Sequence, residues 1–299
     1  MKVTHFIILI IGIFFCHACE SKKQKKDIIS NTTENAYLGQ KPPGLVPKRF
    51  APKLVTTTDW EYNGVFSPDL NEFYYIRLDE KREKQLNVAY IKKDKQWVQK
   101  VISKRKGSPF FSSNNNIMYL GNSFSERTGN GNWSEIKKLD TPFDSLPIMR
   151  LSVSDKGTYF YDEFKRDFTG DIRYSRLVNG KHEKSKKLNA KINTGRSFHP
   201  FIAPDESYLL FDSEREGGHG DSDIYISFRQ QDDSWSDPIN LGNQINTAAW
   251  EAGASITPDG KYLFFNRIVG DVPYENDDYK NVDIFWVDAK VIENLRPKK

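Results

Sequence analysis

The sequence predicts an all-β fold, a single β-propeller of five four-stranded blades with six as the alternative count, and three observations predict it. First, one sentence is written twice near the C-terminus. Ala203-Pro204-Asp205 aligns with Thr257-Pro258-Asp259, Leu209-Leu210-Phe211 with Leu263-Phe264-Phe265, and Asp223-Ile224-Tyr225 with Asp283-Ile284-Phe285. Second, Asp69, Asn114, Asp155, Asp205 and Asp259 recur at intervals of 45, 41, 50 and 54 residues, which gives five copies of a unit that cannot bury its apolar face alone. Third, each copy reads as short apolar runs separated by turn residues. Pro-Asp-Glu-Ser and Pro-Asp-Gly preset φ, cap their own backbone and admit positive φ, so the flanking runs form hairpins, and four such strands per repeat make a propeller blade.

Residues 1–18 read as a secretion signal. Lys2 supplies the positive start, Phe6 to Phe15 is an apolar run too short for a bilayer, and Ala18 is small at the cleavage position. Residues 19–48 are polar and rich in lysine, with Pro42-Pro43-Gly44 near their end, and read as a tether; residues 49–299 are the propeller. Both cysteines, Cys16 and Cys19, lie in or beside the leader, so the folded body needs no disulfide. Removing Lys2 with the leader lowers the formal charge from +4 to +3, a near-balance that argues against nucleic acid as the main partner.

The first copy places Ser67-Pro68-Asp69 before Phe73-Tyr74-Tyr75-Ile76, followed by runs at Leu86 to Ile91 and Trp97 to Ile102. The second is degraded, with Pro109-Phe110-Phe111 and Ile117 to Leu120 clear and the third strand hard to place between Ser123 and Asn132. The third runs from Leu151 through Tyr159-Phe160-Tyr161 and Asp171 to Tyr174, and ends in Ile192-Asn193-Thr194, words repeated as Ile245-Asn246-Thr247 in the fourth. The fifth lacks an outer strand, while Phe50 to Val55 precedes the first copy without a partner. Pairing that N-terminal segment with the last copy closes the ring and removes an exposed edge, with Lys53 to Val55 expected as the closing residues.

The S-P-D-x-x-x-L/F-x-F pattern followed by D-I-Y resembles the WD40-like propeller repeats of the TolB type, called PD40. The wording of the last two copies resembles the secreted or lipidated propeller proteins of Bacteroidota. Ala18-Cys19 resembles a lipoprotein signal, in which the cysteine is lipidated and becomes the new N-terminus; Cys16 and His17 depart from its usual aliphatic and small residues, and simple secretion is the alternative. The resemblance implies a cell-envelope lipoprotein, held at a membrane by an N-terminal lipid, that works with an envelope protein or a glycan. It specifies fold far more closely than activity, because function lives in sites grafted on folds.

Strand parity sends the connections between second and third strands, and those between blades, to one face, where the loops are long. That face is the expected binding site, with Trp60, Glu61, Arg196, His199, Glu214, Arg215, His219, Asp221, Trp250, Glu251, Arg267 and Tyr274 as candidates. Trp60 and Trp250 offer stacking surfaces, or wedge between blades. The acids around His219 lack the alternating calcium-loop pattern and the histidines are dispersed, so neither a metal nor a cofactor is expected. No G-x-S-x-G, H-E-x-x-H, P-loop or dinucleotide fingerprint is present. The reading is a non-catalytic binding module, monomeric outside an envelope complex. Its alternative is a propeller glycoside hydrolase using two carboxylates across the channel, for which Glu61, Asp221, Glu251 and Asp271 are available. A Cys19→Ser variant is expected to lose lipid mass at the N-terminus and to leave the membrane fraction while still folding; unchanged membrane retention, with no lipid on the wild-type chain, rules the anchor out.

Overall fold

The computed structural model describes residues 36–270 and 281–297; the leader, Cys19, Asp271 and Tyr274 lie outside the described residues. The described chain forms five antiparallel four-stranded sheets, each ordered from the axis outward, plus a two-stranded extension at Leu177–Val178 and Lys181–His182. Blade 1 comprises Trp60–Phe66, Glu72–Leu78, Gln85–Lys93 and Gln96–Lys104. Blade 2 comprises Pro109–Phe111, Ile117–Leu120, Ser123–Glu126 and Lys137–Lys138, so its elusive third strand is the four residues after Asn122. Blade 3 uses Ile148–Val153, Tyr159–Glu163, Ile172–Ser175 and Lys186–Lys187. Blade 4 uses Arg196–Ile202, Tyr208–Glu214, Asp223–Phe228 and Ile239–Asn240. Blade 5 combines Glu251–Ile256, Tyr262–Val269 and Asn281–Asp288 with the N-terminal strand Lys48–Arg49. No helix among the described residues is long and apolar enough to cross a membrane.

The recurrent turn has a specific chemistry. In blades 1, 2 and 5 a Ser or Thr two residues before the Asp or Asn donates its hydroxyl to that side chain (Ser67 to Asp69, 2.6 Å; Ser112 to Asn114, 2.8 Å; Thr257 to Asp259, 2.8 Å). The same hydroxyl accepts the backbone N–H that opens the second strand, from Glu72, Ile117 and Tyr262. A tight turn is thereby saturated internally, which is why the pattern survives repetition.

Ring closure occurs, but earlier in the chain than Lys53 to Val55. Lys48 pairs with Trp286 and Arg49 with Phe285, and the Phe50 N–H donates to the Ile284 carbonyl at 2.8 Å. Lys53 instead has φ 69° inside a turn closed by a Pro52–Thr56 bridge, because the chain must reverse there to enter blade 1. Phe50 drives the closure: fully buried, it sits with ring centroids 4.8 Å from Phe73 and Phe264 and 5.2 Å from Trp286. The expected tether to residue 48 also gives way sooner. Tyr37 and Leu38 are buried in the same aromatic cluster, and the Tyr37 hydroxyl donates to Asp259 at 2.6 Å. Apolar side chains in a polar stretch carried that signal.

Two variants test this closure. Phe50→Ala is expected to cost about 3–5 kcal/mol in denaturant unfolding, the range for emptying a buried aromatic site. Deletion of residues 20–35 is expected to leave the unfolding midpoint unchanged, whereas deletion of 20–50 strips the outer strand of blade 5 and destabilises or aggregates the protein. Equal tolerance of both deletions overturns closure by Lys48–Arg49.

Candidate functional site

The site is built on the five inner strands that surround the axis. Four of them break register at matching places: Tyr62/Val65, Ile148/Leu151, Phe198/Phe201 and Ala252/Ser255. Such bulges turn backbone N–H groups out of the ladder. Asn63, His199 and Gly253 occupy them with φ of 56°, 49° and 65°. At 253 the glycine is required twice over, since a Cβ there would lie 2.3 Å from Asn266 Nδ2 and 2.6 Å from Asn63 Oδ1.

At these three the freed N–H is taken by the second strand of the preceding blade, whereas at the blade 3 bulge the Met149 and Arg150 N–H groups go to Asp162 of the same blade. Asp162 accepts from the His199 N–H (2.9 Å), Asp212 from Gly253 (2.9 Å) and Asn266 from Asn63 (2.8 Å). Asn63 Nδ2 then donates to Ser108 Oγ at 2.7 Å, carrying the chain of bonds into blade 2. Blades 3, 4, 5, 1 and 2 are therefore linked in sequence around the axis.

At blades 3 and 4 this ring becomes a charged cluster. Arg150, Asp162 and Asp212 are each 1% exposed, and the His199 Nδ1 lies 3.0 Å from both Asp212 oxygens. Burial depresses the His199 imidazolium, but the charge and hydrogen bond of Asp212, with Asp162 behind it, outweigh that effect and raise its pKa. Burial also raises Asp162, against the pull of His199 and the backbone N–H groups of Arg150 and His199. Arg150 is pulled down to about 10 by burial, partly offset by Asp212 and Asp162. Among the described residues its guanidinium nitrogens have no hydrogen-bond acceptor, and it acts on the two carboxylates through the field.

Further along the same inner strands the axis opens as an apolar mouth on the face of the Pro-Asp turns. This cavity of about 270 Å³ takes Val65, Phe110, Val153, Phe201 and Ile256, one from each blade, with Pro68, Pro204 and Pro258 at its rim. A larger cleft of about 340 Å³ lies at the seam of blades 4 and 5, between Tyr208, Tyr262 and the helix Lys290–Glu293. The axial mouth is the better candidate, because a concave apolar site to which every blade contributes is shaped by the whole ring.

Most candidates on the long-loop face have internal work. Glu61 and Glu251 are 0% exposed and occupy equivalent positions, each accepting the N–H and hydroxyl of a threonine four residues earlier, Thr57 and Thr247. Arg267 pairs with Glu251 at 2.8 Å and donates to the Ile245 carbonyl; Arg215 likewise donates to the carbonyls of Lys191 and Ile192. Trp60 and Trp250 stand at equivalent blade entrances, the latter bridged to Ser222. Arg196 and Glu214 form an exposed pair at 3.2 Å. The His219 N–H is tied to Asp223 while its side chain is exposed, and Asp221 stands beside it half-buried, its pKa raised by burial. Of the eleven candidates among the described residues, His199 alone enters the axial cluster. Sequence reading missed its partners Arg150, Asp162 and Asp212. For the two aspartates the signal was a polar residue directly after the aromatic of the second strand, present in three of the five copies: Tyr161-Asp162, Phe211-Asp212, Phe265-Asn266. Among the described residues no three His, Cys, Asp or Glu side chains converge as a metal site.

No protein family and no curated protein matches the sequence. Among solved structures, the chain is similar to a protein described as TolB from Agrobacterium tumefaciens (18% identity, 78% of each chain, TM-score 0.44). It is similar to TolB from Acinetobacter baumannii (13%, 77% of this chain and 54% of that one, TM-score 0.45). It is also similar to the α-L-arabinofuranosidase PaAbf62A from Podospora anserina (9%, 81% and 93%, TM-score 0.48). The propeller assignment rests on the strand order itself.

The raised pKa of His199 makes the cluster a source of pH-dependent stability. Below the ordinary histidine pKa of about 6.5 the imidazole is protonated folded or unfolded, and the stabilisation is fully present. It is lost as pH rises through the folded pKa, when the two buried carboxylates retain only Arg150. Thermal unfolding is expected to show a fall in midpoint above about pH 6.5 that His199→Gln flattens; identical pH profiles refute the assignment.

Proposed function

We propose that the protein is a non-catalytic cell-envelope lipoprotein whose propeller binds a protein or glycan partner at the axial mouth. The observation that carries this reading is the mouth itself: an apolar hollow to which all five blades contribute, rimmed by turns at Pro68, Pro204 and Pro258 whose φ the proline rings fix. A preformed apolar hollow favours binding, because little conformational entropy is lost when it is filled. The envelope and lipid-anchor parts of the proposal rest on the leader and on Ala18-Cys19.

The hydrolase alternative needs two carboxylates able to reach a sugar on the axis. Glu61 has one property of a general acid, a pKa raised to about 7 by burial against the opposing Thr57 bonds. It is nevertheless 0% exposed and holds the loop that enters blade 1, as Glu251 holds the loop that enters blade 5. Carboxylates so engaged brace loops, and the binding reading is preferred for that reason.

Ile256→Arg places a charge at a partly exposed mouth position and is expected to weaken capture of the native partner at least tenfold, about 1.4 kcal/mol, with an unchanged unfolding midpoint. Trp250→Ala on the opposite face is expected to leave capture intact. The reverse pattern moves the site to the long-loop face. Release of reducing sugars from envelope glycans by the purified protein, abolished by Glu61→Gln or Glu251→Gln, would sink the non-enzymatic reading altogether.

A further inference from the structure

Four of the five outer strands are only two residues long: Lys137–Lys138, Lys186–Lys187, Ile239–Asn240 and Lys48–Arg49. Blade 1 differs. Its outer strand, Gln96–Lys104, has nine residues and ends its sheet. Short edges keep a sheet from templating another chain, and a long one does the opposite.

The direction of its backbone groups follows from the hairpin. Asp94 and Lys95, with φ of 46° and 68°, form a two-residue loop between the paired residues Lys93 and Gln96. In such a hairpin the flanking pair is hydrogen-bonded, and bonding then alternates along the ladder. Gln96, Val98 and Lys100 therefore turn their N–H and C=O toward the inner neighbour, while Gln99 and Val101 turn theirs outward.

Side chains and charge define what fits. Val98 and Val101, on opposite faces of the strand, are 49% and 52% exposed. The Tyr90 hydroxyl, which accepts from Gln99, donates to the Leu54 carbonyl at 2.7 Å and so places the 46% exposed Leu54 beside the Val101 face. Residues 92–106 carry Lys92, Lys93, Lys95, Lys100, Lys104, Arg105 and Lys106 against the single acid Asp94. Like charges facing each other across a ladder are unfavourable, so this strand repels a second copy of itself, and opposite charges are favoured.

We propose that Gln96–Lys104 is a docking edge for an acidic, extended peptide segment of a partner protein, which adds to blade 1 as a fifth strand. Main-chain bonds to Gln99 and Val101 supply affinity, the apolar face of the added segment packs on one of the two valines, and the lysines on the other face select its acidic side chains. This site is independent of the axial mouth, and either can fail without the other.

The test uses a fluorescein-labelled ten-residue peptide of alternating valine and glutamate, with a valine–lysine peptide of the same pattern as control, read by anisotropy against the purified protein. Saturable, salt-sensitive binding of the acidic peptide alone is expected. Val101→Pro, which removes an outward N–H, and Lys100→Glu combined with Lys104→Glu, at exposed positions that leave the fold intact, are each expected to weaken it at least tenfold. Hydrogen exchange should show new protection of the Gln99 and Val101 amides. Absence of acidic-peptide binding overturns the proposal, as does binding that protects neither amide. Two further results also overturn it: self-association through this edge in sedimentation equilibrium, and capture of anionic phospholipid vesicles with no peptide binding.

Discussion

The hydrogen bonds that run from blade to blade around the axis are the constraint on which the rest of the structure depends. A propeller blade satisfies its own ladder but has no intrinsic reason to hold its neighbour at a fixed angle. Here the bulged inner strands of three blades offer an N–H that the second strand of the preceding blade accepts: His199 to Asp162, Gly253 to Asp212, Asn63 to Asn266. A buried donor without a partner costs about 1–3 kcal/mol, so each bond penalises any slip between blades. The bulge, the glycine at 253 and the acid after the second-strand aromatic are three parts of one device.

That device also explains why charge is tolerated at the centre of the ring. Asp162 and Asp212 are buried because their oxygens are committed to backbone N–H groups, and His199 and Arg150 offset the two negative charges. The cluster is architecture first, and its sensitivity to pH follows from the histidine placed within it. Outside this ring the inner strands turn apolar, and the contrast produces a closed polar centre and an open apolar mouth on one axis.

The periphery follows a different logic. Arg127 lies over Trp133 at 3.9 Å while bonding Glu72 of the previous blade, and Arg229 lies over Trp235 at 4.3 Å while bonding Glu206 in the turn of its own blade. Glu206 extends that contact to Ser154 of blade 3, so the rim tryptophans belong to seams between blades. Blade 1 departs from the others by its long outer hairpin, and a departure from the repeat is where a repeat protein carries individuality. Glu61 and Glu251, by contrast, repeat one another, each held inside its entry loop by a threonine four residues earlier.

The sequence by itself pointed to five blades, with six left open, and determined the turns between first and second strands, because these are local patterns repeated along the chain; the outer strand missing from the last copy called for an N-terminal one. Ser67-Pro68-Asp69 and Thr257-Pro258-Asp259 carry their hydrogen bonds within six residues, so their chemistry was readable in place. Closing residues were misplaced because Phe50 is held by Phe73, Phe264 and Trp286, partners that only the closed ring assembles. The candidate site was less legible still. Glu61 and Glu251 were named as candidates on the long-loop face, and only the folded loop shows that their threonines consume them; Arg150, Asp162 and Asp212 are separated along the chain by up to 62 residues and meet because neighbouring blades abut at the axis. Local turn energetics can be read one repeat at a time, whereas the meeting of side chains from different repeats at the axis is decided by ring closure.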